Sequence, residues 1–258
     1  IFIVINKVMN KYSETEYEIF SRLFILNEFS EKNLKKLFNI KVGIVGVGGI
    51  GCPLAQYLVN SGIKELKLFD GDVVEKSNLN RQILFNLEDI GKKKVEVAKK
   101  KLILNNRDCR INIFDKNIDS ENLVHLSECS IIVDATDNWK TSKVLNEYCI
   151  NNCVDFLYSS ALKHDVQIIL FNNKKNNSHL CLNCIFPNKD DVDLPRCDTI
   201  GISGISAGFA GLISAQKIIN YSLNLKEETN IMTVFDGKNL SIDNINIKSK
   251  HNCYLNSL

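Results

Sequence analysis

Hydrophobic and polar positions along this chain alternate between two periods. Short apolar runs rich in β-branched residues occur at 42–45, 65–69, 110–114, 130–134, 155–160 and 166–171. Runs of that length without polar alternation read as strands buried on both faces. Between them, residues 52–62, 91–105, 121–126 and 140–152 carry helical spacing. Strands alternating with helices predict an α/β fold, a doubly wound and mostly parallel sheet covered on both sides. Ahead of the first strand, Tyr17, Phe20, Phe24, Leu34, Leu37 and Phe38 sit at helical intervals, with a break expected near 27–30.

From residue 164 the pattern changes. A polar turn is expected at 172–177 and a mobile acidic crossover around Asp190, Asp191 and Asp193. Residues 203–222 form a helix rich in Gly and Ala, suited to close packing on the sheet or at a dimer face. Residues 232–235 and 240–247 read as a closing hairpin turned at Asp236-Gly237. The division expected is an N-terminal helical segment over 1–40 and one larger domain over 41–258, ending in a small extension.

Composition sets outer bounds. With 258 residues, 45% of them hydrophobic, the chain can bury a sizeable core. A net charge of +2, from 32 basic and 30 acidic residues, provides no general polyanion surface, so no nucleic-acid partner is expected. Nine irregularly spaced cysteines point to a reducing compartment, and no apolar run approaches a membrane span. The opening residues lack the apolar core of a signal peptide, and a cytoplasmic protein is expected. Only 5 of the basic residues are Arg, so an Arg inside a motif stands out, because its planar fork binds phosphate bidentately.

The candidate chemistry begins where the first strand ends. Gly46, Gly48 and Gly51 form GxGxxG ahead of a helix, which lets backbone N–H groups approach a phosphate. The second strand ends in Asp70, placed for ribose hydroxyls in a Rossmann-like fold. Alone, these features suit NAD or FAD. The next loop, however, presents Asn78, Arg81 and Gln82, and Lys94 follows a GKKK run. That set suits a triphosphate whose charge is neutralised during displacement. A further apolar strand runs into Asp-Ala-Thr-Asp137-Asn138, where a carboxylate can hold Mg²⁺ against phosphate oxygens.

GVGGIG, Asp70, SNLNRQ, GKKKVEVA and DATDN together resemble the ThiF/MoeB/HesA family, adenylyltransferases related to ubiquitin-activating enzymes. The resemblance runs from about Ser21 to the C-terminus. It implies ATP and Mg²⁺ as cofactors. Gly46, Gly48, Gly49 and Gly51 would cradle phosphates, with Asn78, Gln82 and Asn138 among the nucleotide contacts. Arg81, Lys94, Asp137 and Arg22 would be catalytic, Arg22 reaching across a homodimer. The implied reaction attaches AMP to the C-terminal Gly-Gly carboxylate of a ubiquitin-like sulfur carrier, which then receives sulfur from a sulfurtransferase or cysteine desulfurase. Cys197 matches the cysteine that links covalently to the carrier, and Arg196 beside it would favour its thiolate. Cys181-Leu-Asn-Cys184 matches half of a zinc knuckle. The second half reads Cys253-Tyr-Leu-Asn256, so the fourth ligand falls to His251, water or a group elsewhere in the fold. The sequences around Cys184–Asn188 and Val234–Lys238 look closest to the thiazole branch, ThiF. Molybdopterin-type, peptide-modifying and non-catalytic relatives are the alternatives.

Overall fold

The computed structural model describes residues 14–174, 180–187, 200–225 and 229–248. Its centre is β1 (Lys41–Val45), flanked by β2 (Glu65–Phe69) on one side and β4 (Ile131–Asp134) on the other. β3 (Arg110–Phe114) closes the near edge, and β5 (Asp155–Leu162), β6 (Asp165–Phe171), β7 (Ile231–Asp236) and β8 (Ser241–Asn246) extend the far side. The order is β3-β2-β1-β4-β5-β6-β7-β8. Strands β1 to β5 pair in parallel, with Val45 opposite both Phe69 and Asp134. β5 to β8 pair antiparallel. The strand order reverses between β1 and β4, the crevice where open α/β sheets bind ligands.

The helices are α1 (Glu14–Phe20), α2 (Glu31–Asn39), α3 (Gly51–Asn60), α4 (Lys94–Asn105), α5 (Trp139–Asn151), the short α6 (Leu182–Ile185) and α7 (Gly204–Leu223). They divide the apolar interior into two clusters. One gathers α3, α4 and α7 over one face, with Ile44, Leu54, Leu58, Leu68 and Ile218 fully buried. The other lies under α5 and includes Phe69, Ile132, Leu145, Phe156 and Phe171. α2 packs on this body through Leu37, which belongs to the first cluster. Among the described residues, no helix is long and apolar enough to cross a membrane.

Most boundaries follow the hydrophobic pattern. One that differs is the start of α4, expected at 91 and found at Lys94. Gly91 sits in the left-handed region (φ +82°), and Val74 exchanges bonds with it and with Lys92, which holds 91–93 outside the helix. The helix expected over 121–126 is a 3₁₀ turn at Leu123–Leu126.

Candidate active site

The glycine loop follows β1 at the point of strand reversal. At Gly46 the backbone is left-handed (φ +93°), and a Cβ there would lie 2.7 Å from the Ala135 carbonyl. A Cβ on Gly51 would come within 2.0 Å of the Gly46 carbonyl, so the loop closes on itself only with glycine at both places. Asp70 locks this turn from the end of β2. Its Oδ2 accepts from Val47 N at 2.7 Å and its Oδ1 from Asp72 N at 2.9 Å. Burial raises the Asp70 pKa despite the opposing pull of Lys94.

Lys94, the first residue of α4, is buried, with Nζ 2.8 Å from Asp72 Oδ2 and 3.9 Å from Asp70 Oδ1. The cation is therefore held beside the glycine loop by two carboxylates. The loop of Asn78, Arg81 and Gln82 covers the next side. Asn78 Oδ1 accepts from Glu75 N, and Arg81 Nη1 donates to Ser77 O at 2.9 Å. Arg81 Cγ is 3.4 Å from where a Gly49 Cβ would stand, and Gln82 Nε2 is 3.7 Å from the corresponding point on Gly48. Gln82 Oε1 is buried with no hydrogen-bond partner among the described residues.

α7 braces the floor. A Cβ on Gly204 would meet Asn80 O at 2.5 Å, and one on Gly211 would meet Ile50 O at 2.5 Å. The expected close packing of this small-residue helix is thus spent on α3 and on the Arg81 loop. Across the crevice, β4 ends in Asp134, completely buried. Asp137 and Asn138 follow, both exposed, and Asn138 caps α5 by accepting from Thr141 N. The sequence pattern points to Asp137 for the carboxylate chemistry and does not single out Asp134 or Thr136. The only signal was an acid closing an otherwise apolar strand.

The glycines, Asp70, Asn78, Arg81, Gln82 and Lys94 therefore lie together, with the Asp137 turn beginning against Gly46. The arrangement fits a triphosphate: a cradle that a Cβ would fill and two cationic side chains beside it. Arg22 does not join it. It is exposed in the turn after α1, where Phe20 packs against Phe38 (ring centroids 6.3 Å apart) beside Gly62. That position is at the far end of α3, about 15 Å from the glycine loop at 1.5 Å per residue.

Cys181 and Cys184 are buried at α6 with their sulfur atoms 3.8 Å apart. Two ligands of a tetrahedral zinc at a Zn–S distance of about 2.3 Å would be separated by about 3.8 Å, so this pair fits half a site. Cys253 and His251 lie outside the described residues, as do Arg196 and Cys197. Among the described residues no cluster of three or more His, Cys, Asp or Glu is placed to hold a metal ion.

Several known proteins resemble the chain. The adenylyltransferase and sulfurtransferase MOCS3 of Drosophila virilis is 35% identical over 240 residues, covering 92% of this chain and 53% of that protein. The MOCS3 of Drosophila persimilis is 34% identical over 249 residues, 95% of this chain and 54% of that protein. The chain thus spans about half the length of these curated relatives. Among solved structures, E. coli MccB superposes with a TM-score of 0.81 at 23% identity, over 95% of this chain and 75% of the other. PaaA superposes with a TM-score of 0.76 at 18% identity, over 92% of this chain and 84% of the other. These two likenesses establish the shared fold. The model of the ThiF family matches residues 20–255, nearly the whole sequence, and the chain belongs to that family.

Proposed function

We propose that the protein adenylates the C-terminal carboxylate of a ubiquitin-like carrier, consuming ATP and releasing pyrophosphate. The observation that carries this reading is the braced group at the strand reversal: a closed glycine loop, the Asp70–Lys94 pair on one side and Arg81 with Gln82 on the other. The carboxylate nucleophile is already ionised, so no general base is required. The protein's task is to hold and neutralise charge on the phosphates.

Backbone N–H groups at Gly48 and Gly49 receive phosphate oxygens. Arg81 turns from Ser77 O toward them. Lys94 exchanges one anionic partner, the exposed Asp72, for another. Asp70 keeps the glycine loop in place and offers its remaining lone pairs to the ribose. Asp137 holds the divalent cation, which neutralises and orients the phosphates when bound. Cys197 keeps its assignment to a covalent carrier link by resemblance alone.

Relatives that combine adenylyltransferase and sulfurtransferase in their names support a sulfur-carrier substrate, with a sulfurtransferase or cysteine desulfurase as the next partner. They favour the molybdopterin-type carrier over the thiazole branch suggested by the sequence around Cys184 and Val234. The distance of Arg22 from its own glycine loop supports a homodimer in which this arginine serves the partner subunit. Cys181 and Cys184 support a structural zinc completed by Cys253 and a fourth group.

The test is exchange of labelled pyrophosphate into ATP with Mg²⁺ and a Gly-Gly carrier. Arg81→Ala and Asp137→Ala each lower exchange by about 100-fold, the scale of one lost electrostatic transition-state contact. Mixing Arg22→Ala with Asp137→Ala subunits restores part of the activity, because the mixed dimer holds one intact site. Exchange indifferent to Arg81 and Asp137 overturns the reading.

A further inference from the structure

Asp134 is more heavily engaged than its place in an apolar strand suggests. Its Oδ1 accepts two donors from one residue, the Thr136 amide at 3.0 Å and the Thr136 hydroxyl at 2.7 Å. The Thr136 oxygen lies 3.4 Å from Asn138 N and 3.5 Å from Asn138 O. Asn138 O accepts from the Ser142 hydroxyl at 3.2 Å and from Ser142 N at 3.1 Å. On the other flank, Ala135 N donates to Val45 O at 2.8 Å, and its carbonyl lies against Gly46. The turn is therefore clamped between the glycine loop and α5, and Asp137 is its exposed member.

Among the described residues the second oxygen of Asp134 is buried with no hydrogen-bond partner in place; the Ser142 hydroxyl, close enough to act on this carboxyl, is turned to Asn138 O. A buried acid with one orphaned oxygen lowers stability. An apolar residue there would avoid this cost but would leave the Thr136 amide and hydroxyl without their acceptor. A carboxylate accepts through either oxygen. It cannot present a donor to Thr136 by flipping, as an amide can.

We propose that Asp134 is a positioning residue, which holds Thr136 so that the turn presents Asp137 in one geometry to a cation-bound triphosphate. This rests on the reading of Asp137 as the cation-binding carboxylate. The role is indirect, since neither Asp134 nor Thr136 need touch the nucleotide.

Calorimetric titration of ATP with Mg²⁺, and separately with EDTA, tests it on the full chain without any carrier. Thr136→Ala keeps the amide and deletes the hydroxyl. It raises the Mg²⁺ concentration needed for tight ATP binding about tenfold, the scale of a lost hydrogen bond to a charged group. Metal-free ATP affinity stays within about twofold, which a general loss of structure would not permit. Thr136→Ser keeps the Mg²⁺ requirement within about threefold of the parent, Asp134→Leu, which removes the acceptor, raises it as Thr136→Ala does, and Thr136→Val repeats the deletion should the alanine variant fail to fold. An unchanged Mg²⁺ requirement in the deletion variants overturns the inference, as does an equal loss with and without Mg²⁺. Asp137→Ala separates the two levels. If it shifts the Mg²⁺ requirement and Thr136→Ala does not, only the positioning role falls. If it shifts nothing, the assignment of Asp137 falls and the inference with it.

Discussion

Asp134 and Asp155 are both fully buried carboxylates on neighbouring parallel strands, one at the C-terminal end of β4 and the other at the start of β5. Asp155 is fully engaged. Tyr221 of α7 donates to it, Lys174 Nζ lies 3.0 Å away, and Lys174 N donates at 3.2 Å. Asp134 is bonded mainly to its own turn through Oδ1, and among the described residues its Oδ2 has only the Ser142 hydroxyl, now turned to Asn138 O, near it. At the end of the sheet away from the crevice, a buried acid fastens helix to strand. At the crevice, a buried acid is left partly unsatisfied, and the residues around it serve a loop. The same chemical group secures the fold at one end and organises the candidate site at the other.

The comparison breaks most sharply at the glycine loop. Gly51→Ala places a Cβ 2.0 Å from the Gly46 carbonyl, a backbone clash that no rotamer relieves. The expected cost is about 3 kcal/mol or more in urea unfolding, together with loss of measurable nucleotide binding. Normal ATP affinity in this variant would remove the case for a tightly closed loop.

At the fastened end, Asp155→Ala leaves Lys174 and Tyr221 without their shared partner. Lys174 is half exposed and can be hydrated, so the expected cost is about 2 kcal/mol, chiefly from the lost hydrogen bonds, with the ATP affinity of the folded fraction unchanged. A coupled loss of ATP affinity would erase the distinction between the two ends.

The smallest effect separates the two acids by pH. Burial pushes the Asp134 pKa up to about 6, against the pull of Thr136 and Ser142. An acid whose pKa is raised on folding adds stability that is fully present below its unfolded value. That stability is lost as pH rises through the folded value. Between pH 5 and 8 the parent should therefore lose about 1–2 kcal/mol that Asp134→Asn retains. Parallel stability curves for the two proteins would show that Asp134 does not carry this burial cost.

Much of this fold was legible because parallel strands read as unbroken apolar runs: those at β1, β2 and β4 end where they were expected to end, while β5 runs two residues past Ser160 to Leu162. The hairpin of β7 and β8 was legible from its turn residues, although all six residues of β8 are exposed. The glycine loop and Asp70 were legible because their spacing is local. What the sequence hid depends on distant neighbours. Lys94 reads as a phosphate ligand, yet it pairs with Asp72, 22 positions away. Asp134 reads as the close of a strand, and only the cover supplied by α5 and β5 turns it into a buried acid. Gly204 and Gly211 announce close packing without naming what is packed.

That packing has a kinetic meaning. α7 is 20 residues long, a rod of about 30 Å, and its Gly204 end is seated on the Asn80 carbonyl with no space between. The backbone at Arg81 cannot retreat unless the rod retreats with it. Arg81, half-buried, is left with side-chain rotation as its way to meet an anion, leaving Ser77 O on the timescale of a rotamer change rather than the microseconds of a moving loop. ATP capture on this side of the crevice should therefore show a single rapid binding phase, with no slower step that saturates as nucleotide concentration rises.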